Sequence, residues 1–359
     1  DETMDEAVQR ESKNVRENAG VLDGSTLGKI EIKGKDALAF MNLIYTNSFS
    51  KMKPGTSRYA LMLGEDGMVK DDGIICKISD EHFIATTTTG GAATVLGCME
   101  EYAQTEWPNL NVYMNSITEQ YATFNISGPK TRNIIEKVFP EVNFSNEAFP
   151  FMTFQFHEYE DTPIRILRAS FTGEMGYEIY VPSNQALKIW EKIISFGKEF
   201  GLMPYGTETM HLLRAEKGYI IVGQDTDGSI TPLDLGLDWM IGKSKKDFLG
   251  KRSLIRSDTV RKDRKQLVGI LPTNKNEKLE EGQHIILDKE IKTPTPMLGH
   301  ITSCYQSPTL GHNFALAVIK NGQSLIGTKA FASTPELKTI EVEIVEPIFY
   351  DKENTKLAS

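Results

Sequence analysis

The chain has 359 residues, 40% hydrophobic and 25% charged, with a net charge of −9. That length allows two or three domains with their own cores, and the composition is that of an ordinary soluble globular protein. An acidic balance without a basic run argues against binding nucleic acid, and no apolar run is long enough to span a membrane. Cys76, Cys98 and Cys304 lie far apart with no C-x-x-C, which points to reduced thiols in a cytoplasmic protein rather than a disulfide frame or a zinc site. The chain opens on "DETMDEAVQRE" without an initiator Met, as expected of an excised domain or a processed chain.

In chain order, the alternation of "LGKIEIK" (27–33) predicts a strand and the apolar spacing of 35–49 predicts a helix. "RYALMLG" and "GMVKDDGIICKI" read as two strands joined at "EDG", a hairpin signal. "HFIATTTT" reads as a β-branched strand and "GGAATVLGCMEEYAQTEW" as a helix stopped by Pro108. "QYATFNISGPKTRNIIEKVF" predicts strand, turn and helix, and 162–182 predicts two strands about a Gly-rich bend. "SNQALKIWEKIISFGKEFG" predicts an amphipathic helix that opens on Ser183 as N-cap and closes on Gly201, and "TETMHLLRAEKG" another that ends at Gly218. From Gln266 onward helical patterns vanish. "LVGILP", "HIILD", "MLGHITS", "FALAVIK" and "IEVEIVEPIF" predict short strands of an antiparallel barrel or sandwich.

No phosphate loop, dinucleotide glycine fingerprint or nucleophile elbow is present. Three features carry chemical interest. Asp71 and Asp72 lie inside a strand, so their side chains point to opposite faces. One can serve a cavity; equally, both can be hairpin polarity or partners of Lys70 or Lys77. In "SFTGEMGYEIYVP", Glu178 is either one outward residue of a hairpin or a carboxylate placed to accept two bonds from a planar donor edge. In "LLRAEKGYIIVGQD", Arg214 and Glu216 are either helix-terminal charges or site residues.

Taken together, "VRENAGVLDGSTLGKIEIKGKDALAF", "RYALMLGEDGMVKDDGI", "ISGPKTR", "SFTGEMGYEIYVP", "LLRAEKGYIIVGQDTDGSITPLDLGLDW", "DFLGKRSL" and "ITSCYQSPTLGHNFALAVI" resemble the aminomethyltransferase family, the T-protein of the glycine cleavage system and its relatives. "TTTTGGAA" and "AFPFM" are most similar to the branch formed by the folate-binding C-terminal half of the heterotetrameric sarcosine oxidase α subunit. The iron–sulfur-linked branch carries a Cys in a motif that reads "KGYIIVGQD" here, without one. The resemblance implies an α+β fold: a three-domain cloverleaf around a central folate cavity, two mixed α/β domains and a C-terminal antiparallel β-barrel. Its divisions fall at 1–29 with 117–231, at 30–116 with 232–265, and at 266–359.

The resemblance also implies the site. Asp71 falls on the essential aspartate, leaving Asp72 to structural work on the opposite face. Tyr59, Glu178 and Arg214 fall on folate-contacting positions, and Thr88 and Tyr177 on cavity positions. Phe171 stands where the glycine-cleavage enzyme has a tyrosine, which keeps stacking and loses a hydroxyl. The activity implied is one-carbon transfer to tetrahydrofolate, giving 5,10-methylenetetrahydrofolate from an iminium derived from sarcosine or a similar N-methyl amine, with flavoprotein subunits as partners. The variants are aminomethyl transfer from a lipoyl protein, methyl transfer from a sulfonium compound, and a folate-binding module without chemistry of its own.

Overall fold

An N-terminal helix that the sequence pattern did not predict, α1 (Met4–Glu17), opens the chain on a capping box in which Thr3 and Glu6 bond reciprocally. In this computed structural model, which describes residues 2–291 and 293–359, there follow β1 (Ala19–Asp23), β2 (Gly28–Lys33), α2 (Ala37–Ile44), β3 (Thr56–Leu63), β4 (Val69–Ser79), β5 (His82–Thr87), α3 (Ala92–Thr105) and β6 (Tyr113–Ser116). The middle of the chain supplies β7 (Tyr121–Ser127), α4 (Thr131–Val138), β8 (Phe154–Tyr159), β9 (Thr162–Leu167), β10 (Gly176–Pro182), α5 (Ala186–Gly197), β11 (Leu202–Pro204) and α6 (Thr207–Glu216). The last third holds β12 (Lys265–Pro272), β13 (His284–Ile286), β14 (Gly299–Ser307), β15 (His312–Lys320), β16 (Lys329–Ser333) and β17 (Thr339–Val345).

These strands form three sheets. The first runs β11-β1-β7-β10-β9-β8, the second β3-β4-β5-β2-β6, and the third closes into an antiparallel barrel in the order β12-β15-β14-β13-β16-β17. The first sheet draws on chain segments either side of the second, which supports two interleaved α/β lobes; β2 belongs to the second sheet from Gly28, so we propose the expected divisions with the first limit moved ahead of Gly28. Ser183 does not cap α5. Its hydroxyl donates to the Glu119 carbonyl, and a short 3₁₀ turn over 183–185 precedes the helix. The expected end at Gly201 is real: another 3₁₀ turn follows α5, and Gly201 closes it at φ +74°.

Each lobe has its own core, and two further clusters join them. Cys76, Ile84, Phe154, Leu167 and Tyr180 pack the first sheet against the second. Leu61 and Leu63 of β3, Ala215 of α6, Ile220, and Leu267, Phe314 and Leu316 of the barrel meet at a three-way junction. An ion network locks the assembly beside it. Arg16 of α1 bonds Glu174 at 3.1 Å and Glu216 at 2.5 Å, all three being buried. Ser307 of the barrel donates to Glu216 at 2.5 Å, and Tyr350 donates to Glu174 at 2.5 Å while its ring lies 3.9 Å from the Arg16 guanidinium.

Candidate functional site

The β3–β4 hairpin sends the two aspartates to different surroundings. The register pairs Leu61 with Asp72 and Met62 with Asp71. Met62 belongs to the core under α2 and α3, whereas Leu61 belongs to the three-way junction. By strand alternation Asp71 therefore faces the helical layer and Asp72 faces the junction.

Asp71 is 3% exposed. Its Oδ1 accepts from the Asp72 N–H at 2.8 Å and the Thr88 N–H at 3.3 Å, and its Oδ2 has no partner among the described residues. Gly91, which caps α3, lies against it: a Cβ there would come within 2.3 Å of Oδ2. The carboxylate thus sits at the start of α3, where the helix dipole favours a negative charge. Burial pushes the Asp71 pKa up, while the Asp72 and Thr88 bonds hold it back. Thr88 serves the same turn, its hydroxyl accepting from the Gly91 N–H at 3.0 Å.

Asp72 is part-exposed. Its Oδ2 accepts from Tyr59 Oη at 2.6 Å. Burial pushes its pKa up to about 7, against the lowering effect of the Tyr59 bond and with the help of the neighbouring Asp71 charge. Tyr59 is raised well above the usual phenol value by its own burial and then by Asp72. The expectation had Asp71 at the cavity and Asp72 in a structural role. The structure sets Asp71 against the start of α3 and Asp72 on the Leu61 face of the hairpin, at the junction.

Glu178 lies on β10, on the face opposite the core. It lines a narrow cleft with Leu22, Asn125, Phe171, Tyr205 and Met210. Its Oε2 accepts from Tyr180 Oη at 2.5 Å. Burial raises its pKa, and the Tyr180 bond and the charges of Arg165 and Lys29 oppose that rise. Phe171 stacks on Tyr219 with ring centroids 5.9 Å apart and planes 19° apart. Tyr219 makes a small further contribution to the raised Tyr59 pKa.

Two expected residues point elsewhere. Tyr177 borders the cleft, but its ring is fully buried in the first lobe, edge-on to Phe144 and Phe149, because β10 alternates and Tyr177 shares the core face with Ile179. Arg214 is fully buried in an ion pair with Asp225 and donates to the Tyr219 carbonyl at 2.9 Å. Asp225 is held in turn by the Ile221 N–H at 2.9 Å and Thr302 Oγ1 at 2.5 Å. Arg214 therefore fixes the loop that carries Tyr219 and ties it to the barrel. The sequence reading missed Asp72 as the junction-facing carboxylate, and Tyr219 and Tyr180; both tyrosines stood in stretches already singled out, but only the fold aims them.

Two interleaved α/β lobes and a closed antiparallel barrel, with the Tyr59–Asp72 pair on the face of the three-way junction, define the architecture of the chain. The chain belongs to the glycine cleavage T-protein, or aminomethyltransferase, family: the GCVT N-terminal domain matches residues 1–245 and the glycine cleavage T-protein C-terminal barrel domain matches residues 265–351. Similar proteins include the sarcosine oxidase subunit alpha of Corynebacterium sp. (strain U-96), 47% identical over 99% of this chain and 37% of that protein. The subunit alpha of Rhizobium meliloti (strain 1021) is 39% identical over 99% of this chain and 36% of its own length. The aminomethyltransferase of Thermoanaerobacter pseudethanolicus is 30% identical, covering 98% of this chain and 91% of that one. The chain thus spans little more than a third of the sarcosine oxidase subunits it matches. The glycine cleavage aminomethyltransferase T structure from Bartonella henselae superposes with a TM-score of 0.83 at 22% identity, over 96% of this chain and 90% of that one, which shows the shared fold.

Proposed function

We propose that the chain binds tetrahydrofolate at the lobe junction and passes it a one-carbon unit from the iminium of oxidised sarcosine or a similar N-methyl amine, giving 5,10-methylenetetrahydrofolate. The observation that carries this reading is the Tyr59–Asp72 pair at the junction, with the Asp72 carboxyl pushed up to about 7. A carboxylate with that pKa can take a proton from the attacking folate nitrogen and return it to the departing amine at neutral pH. It also stabilises the positive charge that the nitrogen gains as the bond forms.

The other residues fit the ligand. Glu178 is a carboxylate lining a cleft, with Oε2 held by Tyr180, and a carboxylate can accept a planar N–H and amino edge. Phe171 and Tyr219 offer an aromatic wall to a ring. Leu61, Leu63 and Val69 keep the Asp72 face apolar, which strengthens its field. Asp71 and Thr88 act as positioning residues that brace the strand beside α3, and Arg214 positions Tyr219. The high identity to sarcosine oxidase alpha subunits over this whole chain supports an N-methyl amine donor oxidised at a flavin-bearing partner.

The test uses Asp72→Asn and Glu178→Gln. Tetrahydrofolate affinity is measured by titration, and 5,10-methylenetetrahydrofolate formation is followed while a sarcosine-oxidising flavoenzyme turns over in the same vessel. Asp72→Asn is expected to retain binding and lose transfer, and Glu178→Gln to lose binding. Unchanged transfer in Asp72→Asn overturns the assignment.

A further inference from the structure

A second cleft shares no lining residue with the first and opens where β8 and β9 meet β5 and the connection into β7. It is open to solvent and lies between Ile84, Ile117, Tyr121 and Phe156, with Arg165 on its wall. The register makes the wall a row across one sheet face: Phe156 of β8 stands opposite Arg165 of β9, and Arg165 stands opposite Tyr180 of β10.

Arg165 is 5% exposed, yet no group among the described residues accepts a hydrogen bond from its guanidinium, and Nε is buried without a partner. Among the described residues its guanidinium carbon lies over the Tyr180 ring, 4.0 Å from the centroid. The carboxylate that acts on it electrostatically is Glu178, whose Oε2 is already held by Tyr180. A second buried cation, Lys29, lies within electrostatic reach and bonds the Ser25 and Leu27 carbonyls. The cleft therefore has apolar walls and, on one of them, a guanidinium that donates no hydrogen bond to the described residues. A buried charge without hydrogen bonds is costly, and a guanidinium fork matches a carboxylate in two parallel bonds.

We propose that this cleft binds a small organic carboxylate with an aromatic or branched apolar body. The carboxylate takes the Arg165 fork, and the body lies on Phe156, Ile84 and Ile117. An α-amino acid is a poor ligand, because its ammonium group would stand beside the Arg165 guanidinium that holds the carboxylate.

Benzoate is the probe, titrated into the full chain and followed by calorimetry and by NMR, with methyl benzoate, phenylalanine and inorganic phosphate as comparisons. Benzoate is expected to saturate, and the other three to bind at least about tenfold more weakly, the size of one lost charge-assisted contact. Arg165→Gln is expected to weaken benzoate about tenfold. Phe156 is 56% exposed at the rim, so Phe156→Ala keeps the fold and is expected to weaken benzoate several-fold. That variant carries the test if Arg165→Gln fails to fold. Saturating tetrahydrofolate is expected to leave the benzoate titration in place. No saturable benzoate binding, affinity unchanged in Phe156→Ala, phosphate binding as tightly as benzoate, or displacement by tetrahydrofolate would each overturn the proposal.

Discussion

Tyr59 Oη donates to Asp72 across the β3–β4 hairpin at 2.6 Å from a diagonal position, since Tyr59 itself stands opposite Ile74. Diagonal neighbours in an antiparallel pair are within reach of an aromatic side chain. The bond favours the ionised carboxylate, so removing it raises the Asp72 pKa further above its value of about 7. In the proposed reaction Asp72 works as a carboxylate, so activity is expected to be lost as pH falls through its pKa. Tyr59→Phe is therefore expected to move the acid limb of the pH–rate profile upward by about half a unit to one unit, the worth of one hydrogen bond. An unmoved limb would remove Tyr59 from the acid–base pair.

Asp71→Asn is expected to do the opposite. The Asp71 charge raises the Asp72 pKa, so neutralising it moves the acid limb downward. An asparagine Oδ1 can keep both backbone bonds from Asp72 and Thr88, and its amide replaces an oxygen that has no partner. Transfer should persist, with the profile shifted to lower pH. Loss of transfer with folate binding intact would return the base role to Asp71.

The contrast between these two aspartates shows where sequence reading stops. The hairpin, the Gly-rich bend before Glu178 and most barrel strands are legible, because period-2 alternation and turn residues are local signals. Opposite orientation of Asp71 and Asp72 is legible for the same reason. Which face meets the junction is not, because that depends on Leu61 meeting Ala215, Leu267 and Phe314 from three distant segments. Helix α1 escaped notice since it buries only Ser12 and Val15 along its length. Strand β16, "KAFAS", escaped because five residues with two alanines carry little strand propensity. Arg214 read as a ligand residue on resemblance, while its pairing with Asp225 needs a loop closure that no spacing rule gives.

Gly91→Ala tests the packing behind Asp71. Gly91 has φ −85°, so alanine brings no backbone strain. Its Cβ would lie 2.3 Å from Asp71 Oδ2 and 2.6 Å from Thr88 Oγ1, and both groups must shift. A destabilisation of about 1–3 kcal/mol is expected in urea unfolding, the usual cost of overpacking. Full stability would show that the Asp71 turn is loose.

Lys29 gives a pH signature in stability. Burial, then the Arg165 charge, lowers its pKa from 10.5 to about 8. Between these values the unfolded chain holds the proton and the folded chain has released it, so stability from this group rises with pH. The difference in unfolding free energy between wild type and Lys29→Met is expected to grow in favour of wild type by about 1 kcal/mol per unit from pH 8 to 10. A flat difference would mean that Lys29 stays charged inside the fold.

The Arg16 network sets the strongest stability prediction. Arg16 joins α1 to Glu174 in the bend before β10 and to Glu216 at the end of α6, and Glu216 also receives Ser307 from the barrel. Removing the cation leaves two buried carboxylates close together, whose remaining side-chain donors among the described residues are the hydroxyls of Tyr350 and Ser307. Breaking one partner of a buried pair typically costs about 3–5 kcal/mol, because the remaining charge is uncompensated. Arg16→Met is expected to lose that much at pH 7 and to recover part of it as pH falls and a carboxylate takes up a proton. Glu174→Gln with Arg16→Met should recover more than the sum of the single changes allows, since the double variant leaves one carboxylate fewer in the junction. Additive losses in that double-mutant cycle would mean that Arg16 and Glu174 act on stability independently.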